Sequence, residues 1–118
     1  MPETRTGAVT ALNAQATAKA YIVTEVDVTG DMDVFLKDYA AHVQATVDRF
    51  GGRYLVRGGR NLGIEGEPPK KRIVISVFDS FEQARAWRES PKYQKIAAVR
   101  EREAKSRMYI VEGLPDVQ

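Results

Sequence analysis

One histidine, five tyrosines, one tryptophan and no cysteine leave a short list of side chains able to do chemistry in this 118-residue chain. His42 stands three residues after Tyr39 and one before Val43, with Asp38 and Thr46 four residues to either side. On a helix it flanks an apolar face beside two polar neighbours. An imidazole placed there can shuttle a proton or ligate haem iron. The plainer reading is a border histidine bonded to Asp38 or to solvent, and the sequence advertises no distal haem pocket. Arg57 precedes Gly58-Gly59, and alternation puts Arg53 and Arg57 on one strand face with Leu55 between them. A guanidinium at a strand end suits a carboxylate or phosphate, with the backbone N–H groups of Gly58 and Gly59 assisting. A solvated edge charge beside a glycine bulge explains the same residues. Tyr54 and Tyr93, with Tyr21, Tyr109 and Trp87, can line an apolar pocket that carries a few hydroxyls. The same aromatics also suit a core or an interface. The candidate site is therefore His42 and Arg57 as catalytic groups, with Tyr54, Tyr93, Gly58 and Gly59 as ligand-binding residues.

Other chemistries are excluded by composition. A single histidine without cysteine provides neither an imidazole cage nor a zinc–thiolate site, so no metal is expected, and no cofactor. The chain has no Gly-x-Ser-x-Gly elbow, no phosphate loop ending in Lys-Ser/Thr and no paired carboxylates on one face. Asp31, Asp33 and Asp38 spread along a helix start, where they complement the helix dipole. Eighteen Lys+Arg against 16 Asp+Glu leave a net charge of +2, too near neutral to imply nucleic acid or an anionic membrane. No stretch is long and apolar enough to cross a bilayer. Ala14-Gln15-Ala16 resembles a signal-peptidase site, but Thr10, Asn13 and Gln15 interrupt the apolar core such a peptide needs. The expected location is the cytoplasm.

The elements that must position these residues follow from periodicity. Lys19 to Val28 is β-branched, aromatic and partly alternating, which predicts a first strand. Thr29-Gly30-Asp31 supplies a turn and a cap, and Phe35, Tyr39, Val43, Val47 and Phe50 then recur at helical spacing over 32–50. Gly51-Gly52 ends that helix. A second strand is expected over 53–57, with Arg60 to Gly66 as an irregular continuation that Pro68-Pro69 stops. A third strand covers 72–78. Ser80 and Gln83 form a capping box for a helix over 80–89, and Ser90-Pro91 starts another over 91–102. A fourth strand is expected over 107–112. Residues 1–18 read as a flexible extension, 19–113 as the domain and 114–118 as a tail.

The order β-α-β-β-α-β is the split βαβ pattern of ferredoxin-like α+β folds, a four-stranded antiparallel sheet with helices on one face. One covered face calls for strands that are apolar at alternate residues only. Here both faces are apolar: Ile73, Ile75 and Val77 share one, Val74 and Phe78 the other, and 108–111 and 21–23 repeat the pattern. A second copy of the same sheet is the simplest cover, so a homodimer through this face is expected. RNA-recognition domains share the strand order, but Ile73 and Ile75 occupy the positions of their stacking rings, which argues against RNA.

Four blocks carry a family resemblance: Lys19 to Val28, Gly51 to Gly59, Ser80 to Trp87 with Ser90-Pro91-Lys92-Tyr93, and Ser106 to Gly113. Together they resemble a bacterial family of domains of unknown function, numbered thirteen-thirty. The resemblance implies a dimeric α/β barrel in which two ferredoxin-like sheets face each other with helices outside. The wider superfamily holds cofactor-independent monooxygenases, haem-binding enzymes, lactone isomerases and small stress-response proteins, and the family has no agreed reaction to carry over. The expectation is a homodimer that binds a small molecule or acts as a cofactor-independent oxygenase or isomerase. The alternative is a non-catalytic structural or stress-associated dimer. The site is expected between the sheet and its helices.

Overall fold

The computed structural model describes residues 18–115; residues 1–17 and 116–118, most of the expected extension and tail, lie outside the described residues. Four strands, β1 Ala18–Val28, β2 Arg53–Arg57, β3 Arg72–Phe78 and β4 Ala104–Pro115, form one sheet in the order β2-β3-β1-β4. Every neighbouring pair is antiparallel. Helix α1 runs over 32–49 between β1 and β2, and helices α2 (Phe81–Glu89) and α3 (Pro91–Glu103) run between β3 and β4. This is the ferredoxin-like α+β arrangement.

The helix starts obey local chemistry. Asp31 accepts from Val34 N at 3.1 Å, Ser80 Oγ from Gln83 N at 3.0 Å, and Ser90 Oγ from Tyr93 N at 3.4 Å with Pro91 in the first turn. Three boundaries differ most from expectation, one of them the end of β4, which runs to Pro115 where the strand was expected to stop at 112 and a tail to begin at 114. The segment 58–71 contains no strand, so the irregular continuation of β2 does not form; Gly58, with φ +76°, donates to Ile73 O at 2.8 Å and the chain then leaves the sheet. At the other end α3 passes into β4 with no loop, three residues earlier than the expected strand start. Thr29 N and Gly30 N both donate to Glu103 O, at 3.1 and 2.8 Å, which clamps that junction beside the end of β1.

Helix α1 is not uniform. Met32–Phe35 is α-helical, Leu36–Ala40 forms a π turn, and Ala41–Arg49 is α-helical again. Four-residue steps overshoot a straight α-helix by about 40° each, because it has 3.6 residues per turn. The wider π turn absorbs part of that excess, and Phe35, Tyr39, Val43 and Val47 are all buried against the sheet. The core is completed by Ala20, Ile22 and Val26 from β1, Phe78 from β3, and Ala84, Trp87, Tyr93 and Ala97 from α2 and α3.

Gly51, at φ +76°, closes α1 in the left-handed conformation expected of the first glycine. Gly52 has a different reason to be glycine. A Cβ there would sit 2.5 Å from Phe78 Cε2 and 2.8 Å from Val47 Cγ1, inside the core. Gly52→Ala is expected to destabilise the fold by about 1–3 kcal/mol, the usual cost of overpacking, measured by urea unfolding. Wild-type stability in that variant would show the packing around Phe78 to be loose.

The strand registers assign each side chain to a face. Facing the helices are the rows Tyr54–Ser76–Ile22–Ile110 and Arg57–Val74–Thr24–Met108. On the open face lie Arg53–Val77–Tyr21–Val111, Val56–Ile75–Val23–Tyr109 and Ile73–Glu25–Arg107. Two apolar rows therefore cross the sheet on the side without helices. Glu25 and Arg107 close that face as a cross-strand ion pair at 2.6 Å, and the hydrogen bond from Arg107 holds the Glu25 carboxyl below its ordinary range.

Candidate functional site

The helix-facing rows and α1 do not fill all the space between them. A cavity of about 50 Å³ remains. A water needs some 10–15 Å³ of such space, so this cavity holds roughly three to five water-sized groups. Its floor is Ile22, Thr24, Val26, Val74, Ser76 and Met108 from the sheet, and α1 covers it with Phe35, Tyr39, Ala40 and Val43. Trp87 of α2 closes one end, while Tyr54, Arg57 and Arg72 complete the wall. Arg57 is exposed and Arg72 half-buried, which places the opening on their side.

Two irregularities build this wall. The β2–β3 register shifts between Tyr54 and Val56, a β-bulge that leaves Leu55 as the extra residue. Regular alternation would send Tyr54 and Arg57 to opposite faces; the bulge puts both toward the helices. It also separates Arg53, which pairs with Val77 on the open face, from Arg57, which pairs with Val74 on the helix face. The expectation that Arg53 and Arg57 share a face is thus corrected, because it assumed an unbroken strand. The second irregularity is the π turn. Ala40, its last residue, accepts from Arg57 Nη2 at 3.1 Å, and one turn on Gln44 Oε1 accepts from Nη1 at 2.9 Å.

The guanidinium so held lies 4.6 Å from the centre of the Tyr54 ring, and that of Arg72 lies 5.9 Å from the Phe35 ring. Among the described residues no acidic one lines the cavity. Burial pushes the Tyr54 phenol up to about 12, although Arg57 pulls the other way. Burial first, and then the Tyr93 hydroxyl, push Tyr39 well above the ordinary tyrosine range. Both phenols therefore stay protonated at neutral pH and offer O–H groups. Trp87 donates through Nε1 to Thr46 Oγ1 at 2.9 Å, and Thr46 Oγ1 donates to Val43 O at 2.6 Å, fixing the indole beneath α1.

Of the residues singled out from the sequence, Arg57 and Tyr54 line the cavity. Tyr93 is fully buried behind it, its hydroxyl 2.9 Å from that of Tyr39. His42 is exposed on α1 and is not part of the lining, so the structure does not bring it to the cavity beside Arg57. Gly58 and Gly59 are exposed beyond the opening, and the Gly58 N–H is already used by Ile73. Sequence reasoning passed over Tyr39, which reads as one more residue of an apolar helix face, and Arg72, which reads as the end of a Lys70-Lys71-Arg72 charge run. Alternation could have found Arg72, since it falls in phase with Val74, Ser76 and Phe78. Among the described residues no helix is long and apolar enough to cross a membrane.

The strand order and the helices on one face of the sheet define a ferredoxin-like α+β domain. The chain belongs to the family described as domain of unknown function DUF1330, whose pattern matches residues 19–114. No curated protein matches it. Among solved structures it is similar to the RPA0582 protein of unknown function from Rhodopseudomonas palustris, with a TM-score of 0.65 and 16% identity over 95% of each chain. It is also similar to SnoaB, a cofactor-independent oxygenase from Streptomyces nogalater, with a TM-score of 0.53 and 16% identity over 80% of this chain and 91% of that one. At such identities the likeness is one of fold.

Proposed function

We propose that this protein is a homodimer that binds a small molecule in the cavity between its sheet and helices, either as a binding protein or as a cofactor-independent enzyme. The observation that carries this reading is the cavity itself: a largely apolar space whose lining also includes Arg57, Arg72, Tyr39 and Tyr54. Its volume favours a compact ligand over a multi-ring one. Arg57, Tyr54 and Tyr39 are the binding groups of this proposal, with Tyr93 supporting Tyr39. His42 keeps its simpler reading as a surface histidine. The homodimer rests on the two apolar rows that cross the open face, which a second copy of the same sheet would cover.

Trp87 is the only tryptophan and it lines the cavity, so its fluorescence reports occupancy directly. A panel of small acids, amides, lactones and phenols should include compounds that change this emission. The same compounds should raise the melting temperature, as any ligand selective for the folded state does. Each bound compound is then tested for oxygen uptake, the activity suggested by the oxygenase that shares this fold, and for isomerisation. Binding without turnover makes the protein a carrier or sensor. No response from any compound overturns the reading and leaves a structural dimer.

A further inference from the structure

Arg100 of α3 is 4% exposed, and among the described residues no carboxylate pairs with it. Withdrawing a guanidinium from water is costly, and the usual compensation is an anion. Here the compensation comes from neutral oxygens. Nε donates to Tyr93 Oη at 3.3 Å, Nη1 donates to Ser106 Oγ, and the guanidinium carbon lies 5.8 Å from the centre of the Tyr39 ring. Burial disfavours the charge, yet the two tyrosine oxygens outweigh it and Arg100 stays protonated.

That charge anchors a pair of hydrogen-bonded tyrosines. Tyr93 Oη accepts from Arg100 and lies 2.9 Å from Tyr39 Oη, a contact in which either hydroxyl can donate, and Arg100 favours both oxygens as acceptors. One of the two hydroxyl protons closes the bond between the tyrosines, and the other has to be given to something else. Among the described residues no further acceptor takes it, and Tyr39 lines the cavity. Tyr93 is sealed from solvent and is not part of that lining, so the arrangement that strands neither proton has Tyr93 donating to Tyr39 and the Tyr39 O–H turned to the cavity. From the sheet side Arg57 and Arg72 add two guanidiniums, and among the described residues no acidic one lines the space to neutralise them. The remaining wall, with Ile22, Val26, Val43 and Met108, suits a carbon skeleton better than a bare inorganic ion.

We propose that the cavity takes a small organic carboxylate, whose oxygen receives the Tyr39 hydroxyl proton as a hydrogen bond, with Tyr93 and Arg100 as positioning residues that orient that donor. The proposal rests on the cavity reading above and names the ligand class for it. Arg57 and Arg72 supply the opposite charge at the opening.

The test pairs propionate, crotonate and benzoate with their neutral amides, which match them in shape, using the full chain, calorimetry and Trp87 emission. The wild type is expected to prefer acid to amide by about tenfold or more, the scale of one hydrogen bond to a charged group. Tyr39→Phe should lose most of that preference while binding amides within severalfold of wild type. Arg100→Gln should also lower the acid-to-amide ratio, and Arg100→Lys, which keeps the charge, should restore part of it. A purely structural Arg100 would instead weaken acid and amide alike. Equal binding of acid and amide by the wild type overturns this proposal but leaves the cavity reading standing; failure of every probe overturns both. Should Tyr39→Phe not fold, the wild-type ratio and the Arg100 pair still decide.

Discussion

Ile75→Asp is expected to break the proposed homodimer into monomers. Ile75 sits in the row Val56–Ile75–Val23–Tyr109, the middle of the face that carries no helix. Tyr109 and Val111 on the same face are 41% and 47% exposed in the single chain, so apolar surface there is still available to a partner. A two-fold interface repeats each substitution on both sides, which places two carboxylates among apolar side chains. An unpaired buried charge costs several kcal/mol, and roughly 4 kcal/mol is already a thousandfold in dissociation constant. Light scattering at micromolar concentration should therefore give a dimer for the wild type and a monomer for Ile75→Asp. A specific interface of this kind buries more than about 1,000 Å². A monomeric wild type, or a variant that stays dimeric, would remove the sheet-to-sheet association. Because Ile75 faces away from the helices, ligand binding in the cavity should survive in the folded monomer.

Trp87→Ala should cost about 3–5 kcal/mol of folding free energy, the usual range for deleting a large buried aromatic. The indole is 3% exposed, with its ring centre 4.2 Å from that of Tyr93 and 5.7 Å from that of Phe78. Its Nε1–H holds Thr46, itself buried, so the substitution also removes a buried hydrogen bond. The space left would join the existing cavity instead of being refilled, since α1 and the sheet already stand apart there. Domains of this size have about 5–15 kcal/mol in total, so the variant should lie near the edge of folding. Urea unfolding followed by far-ultraviolet circular dichroism measures this without the lost fluorophore. A change below about 1 kcal/mol would mean that the helices can collapse onto the sheet, and that the cavity is not held open by Trp87.

Much of this molecule is readable one short window at a time. Ser80 with Gln83, Ser90 with Pro91, and Asp31 ahead of an apolar helical run each specify a helix start, because a cap needs only three or four neighbouring residues. The change of period from two to 3.6 and back marks the elements, and their order leaves few ways to make one sheet. The doubly apolar β3 likewise puts apolar side chains on both faces of the sheet, which its registers bear out. Tyr54 and Arg57 were legible as polar candidates by residue type, and both line the cavity between sheet and helices.

The arrangement of the site needed the assembled structure. Whether Arg57 turns inward depends on one bulged residue, Leu55, which strand alternation cannot foresee because the shift is decided by pairing with β3. The π turn that sets Tyr39 beside the cavity and offers Ala40 O to Arg57 is likewise a compromise between α1 and the sheet beneath it. Arg100, from a helix with charged residues all around it, becomes notable only once Tyr93, Tyr39 and Ser106 close over it. His42 shows the reverse: a side chain conspicuous by type, placed by the helix's rotation on the solvent side. Local sequence determined the elements, their caps and their order, since those energies act between near neighbours. The tertiary structure alone decided which polar groups meet, since register, bulge and burial are set by contacts between residues far apart in the chain.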